Sequence, residues 1–266
     1  MAAPYFTETD RSLNSPVQGP FDGFSYHTSI FPYFIDLQYG ADVLRIAFEN
    51  IAAGDDTIAG LDAALMDTGS SIGEAFAHFS FWNIFTGDRA TDGGYPQSAT
   101  FAKVPVTSLD VSKGANWDVD TEPFTAKWGL LTLDGSMRIS TEAIDGFSQQ
   151  AVVFAGTSPD DAVLLTEEGV VFDDAQVYVA IGNGFESGDA AVRIKVRADD
   201  GASNNANNEN NVNNANNDNN TNNVTVDPEP EDEGCATASG SPSVWFILLA
   251  LFGFNRRSNR SRRVRN

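Results

Sequence analysis

The stretch Ala190-Ala-Val-Arg-Ile-Lys-Val-Arg-Ala198 predicts the fold class most directly. Apolar and basic side chains alternate along it with a period of two. Such alternation is typical of an antiparallel strand with one face against a core and the other in solvent. We therefore expect a half-buried strand here. Its apolar face carries Val192, Ile194 and Val196, and its basic face carries Arg193, Lys195 and Arg197.

Similar short segments recur along residues 1–203, separated by turns rich in Gly and Asp. Roughly ten to twelve such strands predict an all-β fold, an antiparallel β-sandwich of the jelly-roll or immunoglobulin-like type. The other predicted strands are 33–39, 43–48, 75–85, 101–111, 124–133, 136–141, 150–155, 162–166, 170–172 and 176–181.

Two of these segments have a predicted place in a sheet. Segment 75–85 is apolar on both faces, which predicts a central strand. Pro105 interrupts 101–111, which predicts an edge strand because proline cannot donate to the ladder. Between the first strands and 75–85, glycines interrupt a loosely helical spacing, so residues 50–73 predict one short helix or a long loop.

A hairpin is expected in the middle of the body. Asp134-Gly135 is a favoured two-residue hairpin turn, and it separates 124–133 from 136–141. Residues 116–122, which precede this pair, are expected to form an acidic loop.

Charge divides the chain into three parts. Residues 1–203 carry 30 acidic and 10 basic side chains, residues 204–234 carry seven acids and no base, and residues 235–266 carry six arginines and no acid. Within the middle part Asn-Asn-X repeats seven times, a composition too polar to bury a core. We expect a β-sandwich domain, a disordered Asn-rich acidic linker and a C-terminal sorting or anchor segment. An acidic body repels phosphates, so no nucleic acid partner is expected.

The C-terminal segment combines a cysteine, a small-residue stretch, an apolar run and an arginine cluster. The apolar run, residues 244–254, predicts a short hydrophobic helix. It is much shorter than the ~20 residues that a membrane-spanning helix needs. We interpret it as a transient signal. A permanent inner-membrane anchor with cytoplasmic arginines and a buried core helix are the alternatives.

This order of features resembles a known class of signals. Gly234-Cys235, then Ser239-Gly240-Ser241, then the apolar run, then Arg256-Arg257 is similar to the tripartite C-terminal sorting signals of Gram-negative bacteria. The MYXO-CTERM type has a cysteine before the apolar run, and the GlyGly-CTERM type is handled by rhombosortase. The tail of this chain has no Gly-Gly pair.

The resemblance implies a route through the cell. Export machinery would deliver the chain, residues 244–254 would hold it transiently in the inner membrane, and a sorting protease would cleave near Gly234 and Cys235. The body would then reach the cell surface or outer envelope. Residues 1–10 have no basic n-region and no apolar h-region. We therefore expect the true start, with a signal peptide, to lie upstream.

The sequence assigns no catalytic or cofactor-binding residue. His27 and His78 are the only histidines, and no phosphate loop or His-Glu-x-x-His motif occurs. A core or rim position is expected for His78. We expect a non-enzymatic adhesion or ligand-binding protein. An extracellular polysaccharide hydrolase with a two-carboxylate site and a purely structural envelope protein are the alternatives.

Two aromatic residues are candidates for ligand contact. Trp117 is followed by acidic residues at 118, 120 and 122, and Tyr95 lies in the polar segment 86–98, so both are expected to be exposed. Exposed rings of this kind form platforms for sugars, and they also serve local packing. Carbohydrate is therefore a candidate ligand.

Paired acids in predicted turns raise the question of calcium, which takes six to eight oxygen ligands. The expected role of these acids is instead to bond their own backbone in Asx-type turns, with calcium as the alternative. The pairs are Asp55-Asp56, Asp160-Asp161, Asp173-Asp174 and Asp199-Asp200.

The sorting hypothesis predicts a truncated mature protein. Because cleavage near Gly234 and Cys235 removes the apolar run, protein recovered from the native cell surface should weigh less than the full 28.6 kDa chain. Intact mass spectrometry measures this directly, and any added mass at the new terminus reports the anchor. Persistence of residues 244–266 in the surface protein would instead show a permanent membrane anchor.

Overall fold

The computed structural model describes residues 4–15, 24 and 28–199. The predicted linker at 204–234 and tail at 235–266 lie outside the described residues. The same holds for Gly234, Cys235, Arg256, Arg257 and the helix expected at 244–254, so those expectations stay predictions.

Ten strands follow one another between Thr107 and Ala198. They are β1 (Thr107–Asp110), β2 (Ala115–Thr121), β3 (Ala126–Thr132), β4 (Met137–Glu142), β5 (Gln149–Gln150), β6 (Val152–Gly156), β7 (Val163–Leu164), β8 (Val170–Phe172), β9 (Gln176–Gly182) and β10 (Ala190–Ala198).

The strands form two sheets that pack face to face. Sheet A has the order β1-β3-β9-β6-β7, and sheet B has the order β2-β10-β4-β8, with β5 added alongside β10. All pairings are antiparallel except β1 with β3 and β5 with β10. The predicted two-sheet, mostly antiparallel architecture is confirmed for this part of the chain.

Strand β10 lies in the middle of sheet B and has the predicted two faces. Val192, Ile194 and Val196 are buried between the sheets. On the other face Arg193 pairs with Asp118 at 2.6 Å and with Glu142 at 3.5 Å, from the two neighbouring strands. Opposite charges on adjacent strands stabilise the exposed face of a sheet.

The residues before β1 form helices, so the prediction of an all-β fold is wrong there. Segments 33–39, 43–48 and 75–85, predicted as strands, are helical. The short helix or loop expected at 50–73 contains a helix. The four α-helices of the described residues are α1 (Ile30–Tyr39), α2 (Ala41–Ala53), α3 (Thr57–Met66) and α4 (Ile72–Trp82).

Helix α2 shows why the alternation of apolar side chains at 43–48 wrongly predicted a strand. Its buried side chains are Val43, Leu44 and Ala47, a helical spacing rather than every second residue. Arg45 pairs with Asp42 at 3.1 Å and with Glu49 at 2.7 Å. Partners three and four positions away lie on one side only in a helix.

Two further predictions about the strands are wrong. Asp134-Gly135 does not close a hairpin, because β3 belongs to sheet A and β4 to sheet B. The turn carries the chain from one sheet to the other, with Gly135 at a φ of 74°. Segment 116–122, expected as an acidic loop, is mostly strand β2. The edge predicted at 101–111 is confirmed, since β1 ends sheet A.

The central strand β9 of sheet A is largely buried on both faces. Val177, Val179 and Ile181 of β9 point into the inter-sheet core, which they share with Leu131 and Ile194. The alternate residue Ala180 points the other way into the helix-side core, which also contains side chains of helices α1 and α4. The molecule thus has three layers in this region: helices, sheet A and sheet B.

Helix α4 approaches sheet A closely at two points. A Cβ placed on Gly182 would lie 2.8 Å from the Cα of Ala77, so the strand has no room for a side chain there. Nearby, the Trp128 indole N–H donates to the Ser80 backbone oxygen at 2.7 Å inside the core. Together these contacts fix the helix on the strands.

No helix in the described part of the chain is long and apolar enough to cross a membrane.

The close approach makes Gly182→Ala destabilising. The added methyl would force α4 away from β9, so we expect the free energy of unfolding to fall by about 1–3 kcal/mol. Gly73→Ala is the matched control, because a Cβ there meets nothing closer than 3.8 Å. That variant should be unchanged or more stable by up to about 1 kcal/mol. Chemical denaturation compares the two, and equal stabilities would contradict the proposed contact.

Candidate functional site

A surface cleft with a volume of about 320 Å³ lies beside the edge strands β1 and β2. We call it the Trp117 cleft. Its volume is at the low end of the range of small-molecule sites. Its aromatic and charged lining consists of Asp10, Trp117, Asp120, Glu122, Lys127 and Trp128.

Trp117 has room for its ring because the facing residue of sheet A, Gly129, has no side chain. It lies on the inward side of β2 and packs on the inter-sheet core. A Cβ on Gly129 of β3 would lie 2.6 Å from the indole Cζ3, so the ring lies directly on the glycine. Trp117 is partly buried, as a fixed ring at the mouth of the cleft. Trp117 was expected to be exposed and is instead partly buried, while its contact with a ligand stays a prediction.

Trp128 contributes to the wall but belongs to the core. It is 4% exposed, and its indole N–H is already engaged by Ser80. The aromatic surface that the cleft offers therefore comes mainly from Trp117.

The cleft contains more acidic than basic side chains. Lys127 Nζ lies 3.4 Å from Asp120 Oδ1, an exposed ion pair. Such pairs contribute little to stability because water screens them. Asp10 and Glu122 are also exposed, and no described residue forms an ion pair or hydrogen bond with either carboxylate. The cleft holds three carboxylates and one ammonium group.

A separate tether places Asp10 in the cleft. Leu13 N donates to the Phe124 backbone oxygen at 2.9 Å, and Ser12 Oγ donates to the Pro123 backbone oxygen at 2.6 Å. These bonds hold the N-terminal segment against the turn that follows Glu122. This contact could not be predicted from the sequence, because the two segments are more than a hundred residues apart.

Tyr95 is not part of the cleft, and its predicted exposure is wrong. The side chain is 2% exposed, and its hydroxyl donates to Asn83 Oδ1 at 2.9 Å. Burial raises the pKa of Tyr95 well above its ordinary value. Its ring packs against the edges of Trp82 and Phe101. The neighbours of Tyr95 in the sequence are polar and therefore predicted exposure, but Trp82 of α4 packs against its ring in the structure.

As expected, acidic residues from the pairs accept hydrogen bonds from backbone N–H groups at two of the turns. Asp56 caps α3 by accepting from the backbone N–H groups of Ile58 and Ala59. Asp161 accepts from the backbone of Thr157 and Ser158. Among residues 4–15, 24 and 28–199, no group of three or more His, Cys, Asp or Glu side chains is placed to hold a metal ion.

A serine motif that the sequence analysis missed also has a structural role. Gly69-Ser-Ser-Ile-Gly73 matches the Gly-x-Ser-x-Gly pattern of nucleophile elbows, in which the serine joins a strand to a helix. Here Ser71 joins helix α3 to helix α4, and its Oγ accepts from Glu74 N at 3.2 Å. The motif is therefore a helix cap.

His78 lies on α4 among aromatic rings. Its imidazole stacks on Phe154, with 4.7 Å between ring centroids, and meets the edge of Phe34. Its buried Nε2 has no hydrogen-bond partner among the described residues. Burial lowers the pKa of His78 to about 4. The predicted core or rim position is confirmed.

No protein-family model matches the chain, and no curated protein matches it. Among solved structures, it is similar to PliG of Salmonella Typhimurium, a periplasmic inhibitor of g-type lysozyme, with 7% identity and a TM-score of 0.28 over 35% of this chain and 96% of that one.

Two more solved structures are similar at the same level. PliG of Aeromonas hydrophila has 12% identity and a TM-score of 0.26 over 34% of this chain and 95% of its own. The pre-peptidase C-terminal domain of Bacillus anthracis collagenase has 7% identity and a TM-score of 0.24 over 35% and 95%. The site and the function proposed below rest on none of these similarities.

The burial of His78 predicts a pH-dependent stability. Its pKa is lower in the folded state than the ordinary value of about 6.5, so the unfolded chain binds more protons between pH 6.5 and 4. Stability should therefore fall as the pH is lowered through this window, by about 3 kcal/mol from this residue.

His78→Phe isolates that contribution. Chemical denaturation at pH 7 and pH 4.5 should show a smaller loss of stability in the variant than in the wild type, because the carboxylates are common to both. An equal loss in the two proteins would show that His78 is not held neutral by burial.

Proposed function

We propose that this protein is an exported, non-enzymatic module that binds a polysaccharide at the Trp117 cleft. The observation that carries the proposal is the fixed, partly buried indole of Trp117 in a cleft that also presents carboxylates. An aromatic face packs on the apolar face of a sugar ring, and carboxylate oxygens accept hydrogen bonds from its hydroxyl groups.

We further propose that the sandwich is a jelly roll. Strands β2 and β3 pair with β10 and β9 respectively, and β4 and β6 pair with the other sides of β10 and β9. Strands β8 and β7 complete the two sheets. Apart from β1 and β5, which add to the sheets by parallel pairing, eight strands form two four-stranded sheets, and this arrangement supports the jelly roll over an immunoglobulin-like sandwich. Jelly rolls occur among lectin domains, which agrees with sugar binding by analogy only.

A binding role fits the acidic groups better than hydrolysis does. Glycosidases place two carboxyl groups on either side of the scissile bond. Asp120 and Glu122 are two residues apart along an extended segment, so both project to the same side of it. Groups on one side of a ligand orient it rather than flank a bond.

The proposal includes display on the cell surface of a Gram-negative bacterium. The resemblance of the tail to processed sorting signals supports this, as does the polar spacer before it. A flexible linker of about 30 residues would have an average reach of roughly 30 Å, enough to hold the cleft clear of the envelope. The role in the cell would then be adhesion to, or capture of, an extracellular glycan.

Removal of the indole tests the binding role. Full-length protein should bind at least one member of a panel of soluble glucan, xylan and chitin-derived oligosaccharides in isothermal titration calorimetry. Trp117→Ala should weaken that binding by about tenfold or more, since a central tryptophan in an interface often contributes at least 2 kcal/mol.

Two controls accompany this variant. Trp117→Tyr keeps an aromatic face and should retain much of the affinity. Phe147→Ala removes an exposed ring outside the cleft and should bind like the wild type. Undiminished binding by a folded Trp117→Ala protein would reject the site. Release of reducing ends by the wild type, abolished in Asp120→Asn/Glu122→Gln, would establish the hydrolase alternative.

A further inference from the structure

The charged residues that line the Trp117 cleft indicate the charge of the ligand that it would bind. Asp10 and Glu122 come from segments that hydrogen bonds hold together, and both residues line the cleft. Neither carboxylate has a partner among the described residues, although both line the cleft. Together with Asp120 they give the cleft a net negative charge, which attracts a cation.

The basic residues near the cleft do not supply that cation. Arg11 follows Asp10 in the chain, but its guanidinium lies 4.0 Å from the ring centroid of Phe24 and 3.5 Å from Glu8. Lys127 is engaged by Asp120. The two remaining carboxylates are therefore available to a positive group on a ligand.

The ring beside them favours the same kind of group. A cation over a tryptophan face is attracted by the ring quadrupole, by about 0.5–1 kcal/mol at an exposed site and more when water is excluded. Hydrogen bonds from an ammonium group to carboxylates are stronger than those between neutral partners. The cleft thus combines the aromatic surface of Trp117 with carboxylate acceptors for an ammonium group.

We propose that the ligand of the Trp117 cleft is a glycan with free amino groups, such as a polymer of unacetylated amino sugar. Trp117 contacts the sugar ring, and Asp10 and Glu122 bind its ammonium group. This inference rests on the proposed polysaccharide-binding function and specifies its substrate class. A neutral or acetylated sugar would leave both carboxylates without a counter-charge, which selects against it.

The test compares three hexasaccharides that differ at one position of the sugar: β-1,4-linked glucosamine, N-acetylglucosamine and glucose. Full-length protein is titrated with each by calorimetry at about 150 mM salt, where attraction over distances beyond about 8 Å is screened. The glucosamine hexamer should bind at least about tenfold more tightly than the other two, a difference of about 1.4 kcal/mol.

Two double variants that remove the same charge distinguish binding by the cleft carboxylates from attraction by the protein's net charge of −21. Asp10→Asn/Glu122→Gln should weaken binding of the glucosamine hexamer about tenfold more than binding of the glucose hexamer. Asp134→Asn/Glu168→Gln removes the same charge at two exposed positions outside the cleft and should keep the preference. Thermal unfolding confirms that each variant is folded.

The outcomes distinguish the two proposals. Equal binding of all three hexamers, dependent on Trp117, overturns the amino-sugar inference and leaves the polysaccharide function standing. Absence of binding to these hexamers and to the wider panel overturns both. An equal loss in the two double variants shows attraction by net charge and rejects the inference. Tighter, Trp117-dependent binding of hexalysine would assign the cleft to a protein ligand and also overturn it.

Discussion

The packing of helix α4 on sheet A is the constraint on which the rest of the structure depends. It leaves no space for a side chain at Gly182 and places the Trp128 indole against the Ser80 backbone. Without the helices, the outer face of sheet A would expose a contiguous apolar surface, which soluble proteins rarely do. The same contact fixes β3, which provides the floor beneath Trp117. The helices thus support the cleft without lining it.

The sheets were predictable from the sequence where one face of a strand meets solvent, and the helices were not. In β10 the alternation of charge and apolar side chains excludes a helix. In segment 75–85 both faces are buried, and a buried strand and a buried helix then have the same apolar composition. The sequence did contain one usable signal, the spacing of Asp42, Arg45 and Glu49, which forms ion pairs only in a helix.

The site was predictable only in part, because it is assembled from distant segments. The acidic residues that follow Trp117, at 118, 120 and 122, indicated a loop near solvent. The features that make a cleft come from elsewhere: Gly129 across the sandwich and Asp10 from the N-terminal segment. The predicted exposure of Tyr95 was wrong because distant residues cover it: Asn83 and Trp82 of the helical layer enclose its side chain. Local polarity predicts exposure only when no distant element covers the residue.

Strand β2 has a consequence for how copies of this molecule coexist. It ends sheet B, and its free backbone groups are a template onto which a strand of another chain could add. Its outward side chains include Asp118 and Asp120. In a dense layer of identical molecules, two such edges would approach with like charges facing each other. The edge therefore opposes polymerisation between neighbours, and crowding on a shared surface would yield separate, independently accessible clefts.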